Sequence, residues 1–354
     1  MSGGEGQVKT LGLFEKRLEG DDALMQLARR RFAEAGMGAE MHAATPEQLD
    51  WSLSFRPGEK APVVVHLPRN LDLSQEQTRE RIVEFAKRFA GQVHGVLIHD
   101  HAQMAVRRSD YVAAAWKLDE QLEKIGQCPF LFVEYAAGLE PADFARFFSD
   151  IRDLDRIGVG IDIGHVGIRA AQRAYARKHN GEDVCALKSQ GPRLRQVIDE
   201  VEAAVAAGPV TVLELLETSS QLNKAVHFHL HDGHPLSTFS PFGVSDHLGF
   251  EVGIPINFEH HGRRTLPTMY GPAGLAKIVS RALELLEPKL LSFTLEIHPT
   301  GARLPLGNAS ALFQHWSDKT NAEQMNHWLA LLARNHELLR QALWDNAPAA
   351  TSGA

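Results

Sequence analysis

The sequence predicts an α/β protein, a parallel (β/α)8 barrel with long loops after strands 6 and 7. Three observations carry this expectation. Short apolar runs at 10–14, 38–42, 62–66, 93–99, 129–134, 157–162, 225–230 and 290–296 recur along nearly the whole chain. They are brief, rich in Val, Ile and Phe, and lack strict polar alternation, which suits strands covered on both faces. Between them, stretches at 22–35, 74–89, 110–125, 141–153, 271–286 and 322–343 place apolar residues three and four apart, the spacing of a helix with one buried face. Pro141 falls at a helix start, where its missing N–H costs nothing. Strands alternating with helices in this number close into a barrel. A doubly wound open sheet is the alternative, but its Gly-rich turn after the first strand is absent.

Two connections exceed a minimal barrel. Residues 166–223 follow the sixth strand and include a helix through 201–207. Residues 231–270 follow the seventh and are rich in Gly, Pro and His. Both leave from the carboxyl face, where substrate loops belong. No internal repeat is visible. Residues 1–346 read as one catalytic barrel domain and 347–354 as a disordered tail.

Composition narrows the function classes. The 354 residues carry a net charge of -7, which gives no basic footprint for nucleic acid. Only Cys128 and Cys185 are present, too few for a disulfide framework, so a cytoplasmic location is expected. Residues 1–7 contain no signal-like apolar run, and no stretch reaches the ~20 apolar residues of a membrane helix. A homo-oligomer is compatible with all of this. The unusual figure is 18 histidines. Imidazole nitrogens need partners, so histidine is a costly core filler and an excess points to metal ligation or proton transfer.

Position sharpens that point. The second, third and fourth runs end at His42, His66 and His99; the fifth to eighth end at Glu134, Asp162, His229 and Glu296. In a closed barrel all of these side chains converge on one mouth. A single acidic strand end could merely mark the edge of the core, but independent edges would carry a mixture of residue types.

Two local clusters stand out. In Ile161-Asp162-Ile163-Gly164-His165, Gly164 permits a tight exit that swings His165 toward the centre marked by Asp162; the alternative is an Asp capping the next helix. In His227-Phe228-His229-Leu230-His231-Asp232, alternation puts the three histidines on one face. His229 is the expected ligand, being nearest the strand end yet within it, and Asp232 is placed to orient an imidazole or a substrate hydroxyl. His234, His260 and His261 read as surface residues, and Cys128 and Cys185 as structural. Glu134, Asp162, His229 and Glu296 would make an oxygen-rich site suited to Mn, Mg or Zn. Arg169, Arg173, Arg177 and Lys178 read as a solvated helix face, or as a substrate-anion contact over the mouth.

Taken in order, these segments resemble the xylose-isomerase-like TIM barrels, the superfamily of sugar (phosphate) isomerases and epimerases and of endonuclease IV. The carriers are Val63–Pro68 with His66, Val96–His99, Val133-Glu134, Asp162-x-x-His165, His229-x-x-Asp232 and Leu295-Glu296. The resemblance implies a divalent metal held by Glu134, Asp162, His229 and Glu296, with His165 on the substrate. It further implies catalysis by Glu134 and Glu296, one removing and one returning a proton on a small sugar, keto sugar or polyol. The endonuclease IV branch instead implies a multi-zinc phosphoester hydrolase with extra ligands at His66, His99 and the Asp246-His247 pair. That adjacent pair departs from the branch's Asp-x-His, and the long loop offers only Arg263 and Arg264 toward a phosphate backbone. The ordered ligand series argues against a barrel that has lost catalysis.

Overall fold

The computed structural model describes residues 8–13, 21–56, 61–136, 138–187, 189, 191–238, 247–297 and 322–346. The tail 347–354 and Asp246 lie outside them. The barrel strands are β1 (Lys9–Leu13), β2 (Gly38–His42), β3 (Val63–His66), β4 (Gly95–His99), β5 (Phe130–Glu134), β6 (Ile157–Asp162), β7 (Val226–Leu230) and, last, β10 (Leu291–Leu295). They pair in parallel into a closed ring in which β10 lies between β7 and β1. The expected (β/α)8 architecture is therefore present, with each strand within a residue or two of its expected span.

Helices α1 (Asp22–Glu34), α2 (Pro46–Ser54), α3 (Glu76–Arg88), α4 (Gln103–Val106), α5 (Arg108–Leu122), α6 (Pro141–Asp150), α10 (Gly271–Leu285) and α11 (Ala322–Asp345) surround the ring. Periodicity alone misses the short α2, yet its start is written in the sequence. Thr45 accepts a hydrogen bond from Gln48 N as the cap, and Pro46 follows in the first turn.

The first long connection is not a loop. It forms α7 (Ile163–Lys178), α8 (Pro192–Val205) and α9 (Ala207–Ser220), so the helix expected through 201–207 straddles the junction of two longer ones. On α7, Arg169 and Arg173 both pair with Glu140 of the neighbouring connection. This matches a helix-surface role. The second long connection contains an antiparallel hairpin, β8 (Gly253–His260) with β9 (Arg263–Pro267). Among the described residues no helix is long and apolar enough to cross a membrane.

Strand parity explains how the fold builds a site. Positions facing the helices are apolar: Val63 and Val65, Val96 and Ile98, Leu131 and Val133, Val159 and Ile161, Val226 and Phe228 all join one outer core. The alternate positions face the barrel axis, and their chemistry changes with height. Low in the barrel, Leu11, Val64, Leu97, Phe132 and Ala225 form a separate apolar plug. Two residues higher on the same faces stand His66, His99, Glu134 and His227. Phe132 occupies the space left by two glycines: a Cβ on Gly95 or Gly158 would lie 2.4 or 2.8 Å from its ring. Its ring stacks against that of His227, with centroids 5.0 Å apart, where plug meets polar layer. Phe132→Ala is expected to destabilise the chain by about 3–5 kcal/mol, read from denaturant unfolding.

Candidate metal centre

Among the described residues, three ligand groups lie around the carboxyl mouth of the barrel, and a fourth, Glu40 with His227 and His229, lies just beneath them. In the central one, Glu134, Asp162, His229 and Glu296 each offer an atom within 4.8 Å of the others, and all four residues are buried. Its focus is His229 Nδ1, which lies 3.1 Å from Glu134 Oε1 and 2.9 Å from Glu296 Oε2. The other ring nitrogen, Nε2, meets Glu40 Oε1 at 2.9 Å. Burial opposes charging this ring, but the carboxylates of Glu40, Glu134 and Glu296 overcome it and hold its pKa well above the ordinary value.

The second group is His66, His99 and Glu134. His66 Nδ1 faces the carbonyl of Leu67 at 2.9 Å, which fixes the proton on Nδ1 and leaves Nε2 as a lone-pair donor. His99 Nε2 lies 3.1 Å away, and both nitrogens stand 3.3 Å from Glu134 Oε2. Burial pushes His99 down to about 4, whereas His66 is raised, against its burial, by Glu134.

The third group is His165, His231 and His247. His231 Nε2 bonds Asp162 Oδ1 at 2.9 Å, and burial notwithstanding, that carboxylate lifts the ring to about 9. His247 stacks flat on it, centroids 4.1 Å apart, and places Nδ1 3.2 Å from Glu296 Oε1. It reaches the mouth because Asp232 and Leu248 exchange backbone hydrogen bonds of 2.7 and 2.9 Å, returning the loop antiparallel to the end of β7.

The donor chemistry suits divalent metal: carboxylates and imidazoles in a buried mouth, arranged around single points. Two buried polar groups support that fit. Neither ring nitrogen of His165 has a hydrogen-bond partner among the described residues, and Glu134 Oε2 makes none of good geometry. Leaving such groups unsatisfied costs about 1–3 kcal/mol each.

Several expectations are corrected. Asp162 is both the candidate ligand and the helix cap, because its Oδ1 also accepts from His165 N and so starts α7. Gly164 is no tight exit. It lies in the first turn of α7, and its missing side chain makes room for His231, whose Cε1 would be 1.9 Å from a Cβ there. Asp232 joins none of the three groups. Its carboxylate accepts from Gly233 N, Tyr270 N, Gly271 N and Thr268 Oγ1, tying down the start of α10, and only its backbone carbonyl meets His231 Nδ1. His234 is not a surface residue: it is buried, accepts from Leu236 N, and is pushed down to about 3. His260 is mostly covered and paired with Glu202. Cys128 is buried and Cys185 partly so, both as free thiols.

The residue that strand-end reasoning misses is Glu40, in the middle of β2 and fully buried. Its Oε2 bonds His227 Nε2 at 2.9 Å and accepts from Thr294 Oγ1 at 2.7 Å, while Oε1 holds His229. His227 continues through Nδ1 to Ser292 Oγ at 2.7 Å. A carboxylate inside an otherwise apolar strand was the available signal, since burying one without partners is prohibitive.

No protein-family model matches the chain, and no curated protein sequence does either. Among solved structures, a xylose isomerase-like TIM barrel protein from Mycobacterium smegmatis in complex with magnesium aligns over 98% of this chain and 100% of its own, at 13% identity and TM-score 0.49. A family 39 glycoside hydrolase from the gut symbiont Bacteroides cellulosilyticus aligns over 79% of this chain and 64% of its own, at 11% identity and TM-score 0.36. The monotopic membrane protein (S)-mandelate dehydrogenase aligns over 95% and 77%, at 11% identity and TM-score 0.34. At such values these likenesses say nothing of chemistry. The fold rests on the ring of strands itself, and the class it defines is an α/β barrel with a ligand-rich mouth.

Proposed function

We propose that the chain is a metal-dependent isomerase or epimerase, or a related lyase, acting on a small sugar, keto sugar or polyol, with residues 1–346 as one catalytic unit. The observation that carries this reading is the convergence of Glu134 Oε1 and Glu296 Oε2 on His229 Nδ1, with Asp162 in the same group. Those four residues would hold one Mn, Mg or Zn ion. When bound, such an ion polarises neighbouring substrate oxygens and acidifies the C–H between them.

The chain's own groups do the rest. Glu134 and Glu296 project from β5 and the end of β10, with β6 and β7 between them, so they approach a substrate from different sides of the mouth. One carboxylate accepts the carbon-bound proton and the other returns it. Against its own burial, Glu134 is held well below the usual carboxylate range by His229, His99 and His66, which keeps it ionised. His165, whose ring nitrogens make no hydrogen bond among the described residues although Nδ1 stands 3.6 Å from Asp162 Oδ2, is the group available to a substrate hydroxyl.

A second reading has its own support. Glu134 belongs to two ligand groups, and His165, His231 and His247 make a third. A multi-metal phosphoester hydrolase uses such an arrangement to place a nucleophilic water beside a phosphoryl group. Metal content separates the two. About one metal per chain, with solvent deuterium entering a candidate keto sugar, is the expected outcome. Two or three zincs per chain, reduced by His66→Ala or His99→Ala, would replace the isomerase by the hydrolase. No metal under any condition would remove both.

A further inference from the structure

Away from the barrel interior, a further group of metal-type side chains comes together where the β8–β9 hairpin meets α8. Neighbouring residues of a strand point to opposite faces. At the hairpin tip that rule is broken, because His261 adopts a left-handed backbone (φ 48°) before Gly262 (φ 73°). The rings of His260 and His261 therefore lie side by side, centroids 4.0 Å apart. Opposite them, Asp199 and Glu202 stand three residues apart on α8 and so share one face of it.

The distances have the scale of a coordination shell. His260 Nε2 lies 3.0 Å from Glu202 Oε2 and 3.6 Å from Asp199 Oδ1. All four residues offer an atom within 4.8 Å of one another. Ligands bound tetrahedrally at ~2.0–2.1 Å from a zinc ion stand about 3.3–3.4 Å from each other. The two measured separations bracket that edge. Of the nearby cations, Arg195 is turned over the ring of Phe258, 5.0 Å from its centroid, and Arg263 is the register partner of His260 across the hairpin. Glu259 lines the same recess and adds negative charge to it.

We propose that Asp199, Glu202, His260 and His261 form a second, peripheral site for a divalent transition metal of the zinc type. Two imidazoles with two carboxylates favour zinc, nickel or copper over magnesium or calcium, whose shells are built from oxygen. Such a site clips the hairpin to α8. The hairpin follows His247 on the same connection, so the clip also steadies the segment that delivers His247 to the mouth. Without a metal, the same contacts amount to a partly exposed imidazole–carboxylate contact, which is a weak tie.

The proposal does not depend on the reading of the barrel mouth, and zinc titration of the full-length, metal-stripped chain tests it. His260→Ala/His261→Ala and, separately, Asp199→Asn/Glu202→Gln are expected each to remove one zinc equivalent per chain, or to weaken that equivalent at least tenfold. Glu134→Gln/Glu296→Gln is expected to leave it in place. In the unmutated chain, the imidazole NMR signals of His260 and His261 are expected to shift as that equivalent is added. Unchanged stoichiometry and affinity in both surface variants, or zinc saturation with the two imidazole signals unmoved, would overturn it.

Discussion

Glu134→Ala is expected to produce the largest functional loss in the molecule, because one carboxylate serves two ligand groups. Its Oε1 faces His229 and its Oε2 faces His66 and His99. Removing a residue that merely orients a ligand costs about 10- to 100-fold in metal affinity. Removing a shared ligand is therefore expected to cost more than about 100-fold, with turnover falling at least as far. Calorimetric metal titration of the wild type and the variant checks the first, and assay on a substrate found by deuterium exchange checks the second. The metal-free protein should suffer as well. His229 and His66 would stand in a buried site with their counter-charge diminished, and breaking a buried pair in this way costs about 3–5 kcal/mol. Glu134→Gln keeps the volume and separates the effects: metal binding should fall with a smaller loss of fold stability. A variant that kept full metal affinity would remove Glu134 from the ligand set.

The same charges set the direction of a pH effect. His229, His66 and His231 are all raised in the metal-free chain, despite burial, by Glu40, Glu134 and Asp162. Raised histidines stabilise the metal-free fold while protonated, and that contribution is lost as pH climbs through their folded values, about 9 for His231. Metal uptake requires the ligating rings to be neutral. Affinity should accordingly fall as pH falls.

The barrel was legible because its strands are buried on both sides and its helices on one, and those two conditions leave different periods in the sequence. What the periods hide is height along the axis. Val64 and His66 occupy the same face of β3, one in the plug and one in the mouth. Reading the strand ends recovers the upper members and so finds Glu134, Asp162, His229 and Glu296. It passes over Glu40, which sits one layer lower. It also misplaces His234, whose loop position suggests solvent, although the turn at Pro235–Ser237 buries it. Most of the helical length of 166–223, beyond the stretch 201–207, escaped a pattern search for the opposite reason. α7 is buried along much of its length, from Ile163 to Tyr175, and so lacks a clean polar stripe. The chemistry of Asp162 was ambiguous between cap and ligand only because a carboxylate has two oxygens and here both are in use.

Glu40 carries the second large expectation. It lies beneath the mouth, where its two oxygens bind the rings of His227 and His229. Burial would raise its pKa, but His229 and His227 hold it far below the usual carboxylate range. The stabilisation from this pairing is present above the ordinary value of a glutamate and fades as pH drops toward the lowered one. Because Glu40 accepts from Nε2 of His229, it leaves Nδ1 of that ring directed at Glu134 and Glu296, the arrangement in which an outer carboxylate orients a metal-binding imidazole. Glu40→Ala is expected to lower stability by about 3–5 kcal/mol, since two buried rings lose their partner. Glu40→Gln tests orientation rather than support. The amide fills the same volume and keeps one acceptor, so folding should change less while metal affinity drops about 10- to 100-fold. A purely structural glutamate would leave the pH dependence of metal binding where it was. Loss of the Glu40 charge should instead lower the pKa of His229, moving the acid limb of metal binding to lower pH even as the affinity plateau falls. Titrations of Glu40→Gln and wild type across that limb distinguish the cases, and coincident limbs with equal plateaus would reduce Glu40 to a packing role.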